Sequence, residues 1–232
     1  MSTLSATQTD WINRGQSVLM NTYKQFPVAL SHGEGCYLWD VNGKKYLDFV
    51  SGIAVNCLGY GYPALTEKLA EQAAQLLHCS NLYWNMPQIE LAELLVKVSA
   101  FQKVFFCNSG AEAVEAALKL ARKASQAKYG ENRATVIAME NSFHGRTYGA
   151  MSLTGQSKYH AGYAPLVPEI AHVPFNSLEA LQAQLNEHVC AILVEPIQGE
   201  GGVQPADPQY LKALRALCDE RDILLIFDEV QS

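Results

Sequence analysis

The sequence lacks the features that define several large protein classes. No uninterrupted apolar run in its 232 residues approaches the roughly 18 to 20 that a membrane-spanning helix needs. Residues 1–10 are polar and carry no cationic stretch before an apolar one, so they do not resemble a secretory signal. The net charge is −6 and no basic run alternates with aromatic residues, which argues against a nucleic-acid surface.

Signature motifs of several common catalytic and nucleotide sites are also missing. The chain has no G-x-x-x-x-G-K-[ST] loop, no G-x-S-x-G nucleophile elbow and no H-E-x-x-H zinc motif. Residues 59–64 do match G-x-G-x-x-A ahead of a predicted helix. They lack the preceding buried strand and the later acidic residue of a dinucleotide site, so we do not expect one here.

The six cysteines contain no C-x-x-C pair, and Cys107 and Cys190 lie within apolar runs. This pattern favours reduced thiols in the core of a cytoplasmic protein, because disulfides persist mainly in oxidising compartments. Neither a disulfide scaffold nor a metal site is predicted, since no spacing supports one.

Hydrophobic residues make up 49% and charged residues 17% of the chain, which is ample material for a buried core. Apolar runs alternate with segments of helical periodicity. Such uninterrupted runs are typical of parallel strands covered on both faces, so we predict an α/β fold with a mainly parallel sheet flanked by helices. The predicted strands are 103–107, 135–139, 189–194 and 223–227.

Other local signals complete the predicted outline. Asn42 and Gly43 lie between apolar stretches and predict a hairpin. Asp207 followed by Pro208 predicts the start of a helix that ends at Arg221. Helices are also predicted over 9–21, 65–76, 89–96 and 111–128.

Open parallel sheets bind ligands beyond the carboxyl ends of their strands, so the residues that follow each run deserve most weight. Ser109, Gly110 and Ala111 open a helix whose free backbone N–H groups would suit a phosphate. The alternative is a simple capping box formed by Ser109 and Glu112.

Asp228 ends a strongly apolar strand, where an ionised carboxylate is costly unless it is paired. It could hold a protonated pyridine nitrogen, with Gln231 reaching the same ring. The alternatives for Asp228 are a helix cap or a structural ion pair, and for Gln231 a surface amide.

The other strand ends carry an aromatic ring, a cation and a second acid. Phe143 could stack on a flat ring or simply pack in the core. Arg146 could bind a substrate carboxylate or lie on the surface. Glu195 could face a cofactor, pair with an arginine or be an exposed acid. His144 could have a catalytic role, but we expect the commoner outcome, an ordinary loop histidine whose hydrogen bonds are satisfied.

Five segments occur together in the order of one known family. They are SGIAVN (51–56), NSGAEA (108–113), SFHGRT (142–147), EPIQGEGG (195–202) and FDEVQ (227–231). From about residue 20 onward the chain resembles the class-III pyridoxal-phosphate aminotransferases, and within them the acetylornithine and succinylornithine enzymes.

This resemblance implies the large domain of a fold type I pyridoxal-phosphate enzyme, in truncated form. It implies an N-terminal helix and hairpin over 1–60 and the first part of the large domain over 61–232. The catalytic residues that it implies are Asp228 and Glu195, and the substrate-binding residues are Arg146 and Glu195. The implied ligands of pyridoxal 5'-phosphate are Ser109, Gly110, Ala111, Phe143, Asp228, Glu229, Val230 and Gln231.

The resemblance also implies a reaction and partners. The reaction is transamination between N-acetylornithine and 2-oxoglutarate, which yields glutamate and belongs to arginine biosynthesis in a homodimeric enzyme. The family's Schiff-base lysine has no counterpart among residues 1–232, so we expect an N-terminal portion that is inactive alone. The alternatives are a lysine-less, non-catalytic remnant, or an aminotransferase for succinylornithine, ornithine or 4-aminobutyrate.

Overall fold

The computed structural model describes residues 6–232, which form two compact units, one ending at Leu94 and the other spanning Leu95–Ser232. The predicted domain boundary after residue 60 stays a prediction. The helices are α1 Gln8–Val18, α2 Ser51–Ala54, α3 Pro63–Gln75, α4 Met86–Val98, α5 Gly110–Tyr129, α6 Tyr148–Leu153, α7 Ser157–His160, α8 Leu178–Gln184 and α9 Pro208–Arg221. The strands are β1 Leu30–Glu34, β2 Tyr37–Asp40, β3 Lys45–Leu47, β4 Thr135–Met139, β5 Ile170–Val173, β6 Val189–Val194, β7 Ile197–Gln198, β8 Gln204–Pro205 and β9 Leu224–Phe227.

The first unit contains a three-stranded antiparallel sheet in the order β1-β2-β3. The predicted hairpin is confirmed, because β2 and β3 pair on either side of the turn that contains Asn42 and Gly43. Gly43 has a φ of 82°, a left-handed conformation that glycine adopts without steric cost.

The glycines of the G-x-G-x-x-A segment serve a turn in the same unit. Gly59 has a φ of 74°, and a Cβ added to it would lie 2.7 Å from the carbonyl oxygen of Gly35. Gly35 and Tyr60 exchange backbone hydrogen bonds of 3.0 and 2.8 Å. Close backbone approach therefore accounts for this pattern without a nucleotide.

The second unit is built on a four-stranded sheet in the order β5-β4-β6-β9, in which every neighbouring pair is parallel. The predicted parallel sheet is confirmed, and β4 and β6 have the predicted bounds. Every residue of β6 is buried, as the continuous apolar run indicated. Strand β5, which was not predicted, is short and contains His172.

Helices cover both faces of this sheet. Along β4, Val136 and Ala138 pack with residues of α5 and α6, whereas Ile137 and Met139 pack with residues of α8 and α9. Successive side chains of a strand point to opposite faces, so one strand contributes to both cores. The layered α/β prediction is confirmed.

Two predictions are wrong. Residues 103–107 form no strand, and among the described residues they pair with no other segment; Phe105 is 70% exposed. An apolar run becomes a strand only where a partner satisfies its backbone groups. The six cysteines are not all core thiols either. Cys190 and Cys218 are buried, whereas Cys36, Cys57 and Cys107 are exposed and Cys79 is half-buried.

No helix within residues 6–232 is long and apolar enough to cross a membrane.

Candidate active site at the carboxyl edge of the sheet

The start of α5 provides the first element of the site. Ser109 caps the helix, and its Oγ accepts the backbone N–H of Glu112 at 3.2 Å. The Glu112 carboxylate accepts the N–H of Asn108 at 2.7 Å, one residue before the cap. The hydrogen bonds of the described residues do not use the N–H groups of Gly110 and Ala111, so both remain available to an anion.

Asp228 lies where β9 leaves the sheet, and its N–H still donates to Val194 in β6 at 2.9 Å. Its side chain is only 5% exposed. One carboxylate oxygen, Oδ2, lies 2.8 Å from Nδ1 of His144, and the other accepts the N–H of Val230 at 3.1 Å. The carboxylate is therefore paired within the protein and retains lone pairs for a further donor.

His144 lies among these residues, although its sequence context is that of an ordinary loop histidine. Its side chain is fully buried, and its backbone N–H donates to the hydroxyl of Thr154 at 2.9 Å. Its Nε2 has no hydrogen-bond partner among the described residues, although buried polar atoms normally have one. No local pattern marks this residue, because Asp228 is distant in sequence and the two meet only in the folded unit.

Glu195 follows β6 and is buried, with 4% exposure, so the exposed-acid alternative is wrong. Its Oε2 accepts the N–H of Phe143 at 3.0 Å. Burial raises the pKa of its carboxyl group above the ordinary value, and the nearby Asp228 charge adds to this. The Phe143 N–H and the proximity of His144 act in the opposite direction.

Phe143 and Arg146 meet a third side chain, Tyr159 of α7. The rings of Phe143 and Tyr159 pack edge to face with centroids 5.5 Å apart. The Arg146 guanidinium lies over the Tyr159 ring, with Cζ 4.2 Å from its centroid, and 5.6 Å from that of Phe143. Arg146 makes no hydrogen bond or ion pair with any described residue, so its N–H donors are open.

Close contacts join these loops into one cluster. A Cβ added to Gly110 would lie 2.8 Å from a methyl of Val230, which places the segment after β9 against the start of α5. A Cβ added to Gly145, next to His144, would lie 2.8 Å from Cβ of Ala111.

The loop after β6 joins the same cluster, because a Cβ added to Gly199 would meet the Gln231 side chain at 2.8 Å. Glu229, on the same segment as Gln231, is exposed. The predicted residues after β4, β6 and β9 are therefore brought together with the start of α5.

The arrangement combines two electrostatic environments. The first turn of α5 offers N–H groups and a positive helix end to an anion, while Asp228 offers a buried negative charge to a cationic or protonated group. A flat ligand that carries an anionic group and a basic ring nitrogen matches both environments. Within residues 6–232 no three His, Cys, Asp or Glu side chains cluster as metal ligands would. The fold and site thus define a layered α/β protein in which an open helix N-terminus and a buried carboxylate meet at the carboxyl edge of a parallel sheet.

Comparison with known proteins narrows the class. The family model described as aminotransferase class-III matches residues 18–232, and the chain belongs to this family. It is 55% identical to the acetylornithine aminotransferase of Caldanaerobacter subterraneus subsp. tengcongensis over 92% of this chain and 54% of that protein. It is 49% identical to the succinylornithine transaminase of Citrobacter koseri, over 92% and 53% of the respective chains.

Solved structures agree with the sequence comparison. A Toxoplasma gondii ornithine aminotransferase structure, described as having partial occupancy of PLP at its active site, matches with a TM-score of 0.93 and 32% identity, covering 99% of this chain and 55% of that one. Acetylornithine aminotransferase from Elizabethkingia anophelis matches with a TM-score of 0.81 and 35% identity, covering 97% and 54%. The chain spans about half the length of the curated relatives it matches.

Proposed function

We propose that this chain forms part of a pyridoxal-phosphate-dependent aminotransferase that moves the terminal amino group of N-acetylornithine to 2-oxoglutarate, yielding glutamate. The observation that carries the proposal is the convergence of the buried Asp228 carboxylate and the open α5 N-terminus, joined through the contact between Val230 and Gly110. This pairing fits a ring with a protonated nitrogen and a phosphate. The 55% identity to an acetylornithine aminotransferase supports the choice of substrate.

Each predicted cofactor ligand has a role in this proposal. Pyridoxal phosphate, when bound, supplies an electron-withdrawing ring that stabilises negative charge on a substrate carbon. Asp228 holds the ring nitrogen protonated, because its buried carboxylate favours a nearby positive charge. Ser109, Gly110 and Ala111 bind the phosphate, and Phe143 packs on the ring. The remaining proposed contacts come from Glu229, Val230 and Gln231.

Substrate recognition is assigned to one cation and one acid. The guanidinium of Arg146, which has no hydrogen-bond partner among the described residues, can form a bidentate pair with the α-carboxylate of acylornithine. Burial raises the pKa of the Glu195 carboxyl group. Glu195 is proposed to adjust the charge that faces each amino donor and to pair with an arginine. We propose that the lysine needed for proton transfer lies in the part of the relatives' length that this chain does not match.

The same proposal includes a homodimer in the cytoplasm. Several apolar side chains of α4 are largely exposed, among them Leu91 and Leu94 at 47% and 55%. Exposed apolar patches of this kind mark association surfaces.

The test compares amino donors with the protein expressed from its complete reading frame and loaded with pyridoxal phosphate. N-acetylornithine should give the highest kcat/KM, ahead of succinylornithine, ornithine and 4-aminobutyrate, with 2-oxoglutarate as acceptor. A preference for 4-aminobutyrate would overturn the substrate assignment. Cofactor binding without any amino transfer would instead support the non-catalytic alternative.

A further inference from the structure

Tyr159 stands out among the residues around the site because no role has been assigned to it. Its ring contacts both Phe143 and Arg146, the two residues proposed to contact cofactor and substrate. It is half-buried and lies on a short helix, α7. We propose that Tyr159 positions the Arg146 guanidinium and thereby sets the enzyme's selectivity for amines that carry a carboxylate. This inference rests on the proposed function.

The first argument is the way in which α7 is held. At its start, the Gln156 side chain donates to the carbonyl oxygen of Ser142 at 2.9 Å. At its end, Nε2 of His160 lies 2.9 Å from the carbonyl oxygen of Met151 in α6. The hydroxyl of Ser142 also accepts the N–H of Gly155 at 2.9 Å. The ring of Tyr159 is thus fixed relative to the loop that bears Phe143 and Arg146.

The second argument concerns the N–H donors of Arg146, which make no hydrogen bonds to the described residues. A guanidinium over an aromatic face is attracted by the negative charge of that face, and this interaction does not consume the N–H groups. Arg146 has no hydrogen-bond or ion-pair partner among residues 6–232, and of the two rings near its guanidinium that of Tyr159 is the closer. A long side chain restricted in this way loses less conformational entropy when it binds a carboxylate.

The ring contributes through its face and not through its hydroxyl. The hydroxyl of Tyr159 has no hydrogen bond in the described residues, whereas the face of its ring lies against the guanidinium and the ring packs edge to face with that of Phe143. A phenylalanine at this position should therefore preserve the function, and an aliphatic residue should not.

The experiment uses the complete protein and two matched amines. N-acetylornithine carries the α-carboxylate, and N-acetylputrescine is the same acylated amine without it. Replacing the ring with an aliphatic chain in Tyr159→Leu should raise KM for N-acetylornithine about three- to tenfold, with kcat within about twofold. KM for N-acetylputrescine should stay the same. The single variant Tyr159→Phe should keep KM and kcat for N-acetylornithine at the values of the unmodified enzyme, because it retains the aromatic face.

A matched control comes from the neighbouring residue. The Lys158 ammonium also lies over the Tyr159 ring, 4.8 Å from its centroid, yet it has no place in the proposed site. Lys158→Gln should leave both KM values unchanged. Tyr159→Met, whose flexible unbranched side chain adapts to irregular gaps, replaces Tyr159→Leu if the latter melts early. Calorimetric titration of N-acetylornithine into the cofactor-free protein should show the same loss of affinity as the KM values.

The outcomes separate this inference from the proposed function. Equal increases in both KM values, a loss confined to kcat, or failure of Tyr159→Phe to keep the KM of the unmodified enzyme would overturn the role of Tyr159. If Tyr159→Leu discriminates between the amines as well as the unmodified enzyme does, this inference fails and the proposed function stands. If the unmodified enzyme does not discriminate at all, the assignment of Arg146 to the carboxylate fails as well.

Discussion

The two edges of the parallel sheet use polar residues in opposite ways. At the amino edge, Arg133 donates to three backbone carbonyl oxygens, those of Val189, Arg221 and Asp222, each at 2.9 Å. At the carboxyl edge, Arg146 donates to none of the described residues.

Arg122 repeats the pattern of the amino edge. Its guanidinium donates to the carbonyl oxygens of Ala134 and Pro168 at 3.1 and 2.6 Å, just before β4 and β5 begin. At the carboxyl edge, by contrast, the Nε2 of His144 has no partner in the described part of the chain. Polar groups whose hydrogen bonds are complete hold the fold, and those with spare capacity are free to serve a ligand.

The largest expected effect comes from removing the charge of Asp228. Asp228→Asn should lower turnover of the complete enzyme about a hundredfold or more. The protonated ring nitrogen of pyridoxal phosphate would lose the buried carboxylate that is proposed to pair with it. The matched change at the amino edge is Asp222→Asn. Asp222 is exposed and pairs with Lys128, and asparagine tolerates its left-handed conformation, so turnover should change less than about twofold. Equal losses in initial-rate assays would remove the distinction between the edges.

A second pair of variants contrasts the two arginines. Arg146→Gln should raise KM for N-acetylornithine about ten- to a hundredfold, the value of charge-assisted hydrogen bonds, without changing the melting temperature. Arg133→Gln should lower the free energy of unfolding by about 2 kcal/mol without changing KM, because it leaves backbone carbonyls unpaired. Thermal melts and initial rates on both variants check the contrast; destabilisation by the Arg146 change would contradict it.

A smaller effect is expected from the contact between α5 and the segment after β9. Gly110→Ala places a methyl group 2.8 Å from the Val230 side chain, so the two segments must move apart. The dissociation constant for pyridoxal phosphate, measured by fluorescence titration, should rise about tenfold, as for an overpacking cost near 1.4 kcal/mol. The double variant with Val230→Ala restores the space and should recover the affinity. Without recovery, the contact does not shape the site.

The smallest effect concerns Glu195 and pH. Burial raises the pKa of this carboxyl group in the folded state, so the folded protein binds more protons than the unfolded chain above the ordinary value of 4.5. The contribution of Glu195 to stability should therefore fall as pH rises from about 4.5 through the raised folded-state pKa. Glu195→Gln should remove this decline, as followed by denaturant unfolding at several pH values. A variant whose stability falls in parallel with the unmodified protein would show that Glu195 is not the cause.

Structural features that depend on a continuous stretch of residues, such as strand bounds and helix starts, could be predicted from the sequence. The bounds of β4 and β6 follow from their uninterrupted apolar runs, and Asp207 with Pro208 marks the start of α9. Residues 103–107 show the limit of this approach, since an apolar run without a partner strand stays irregular. Strand β5 was missed because it is short and contains a histidine.

The candidate site was predictable in its components but not in its pairings. Asp228 and Glu195 both end apolar strands, which indicated a paired acid at Asp228 and left burial or exposure open at Glu195. Asp228 pairs with His144, which comes from another loop. Arg146 contacts Tyr159, which lies on a separate helix, α7. Such contacts depend on tertiary packing, which neither periodicity nor capping signals encode.

The buried register of β6 has a consequence for how this site can vary. Val194 is the register partner of Phe227, so Glu195 and Asp228 leave neighbouring strands side by side. Side chains alternate along a strand, so inserting one residue into β6 would move Val194 into the place of Glu195 and point each shifted side chain to the opposite face of the sheet. Insertions and deletions should therefore be tolerated in the loops that follow the strands, whereas within a buried strand they should disrupt the core. Changes in chain length among proteins built on this frame should therefore fall outside β6.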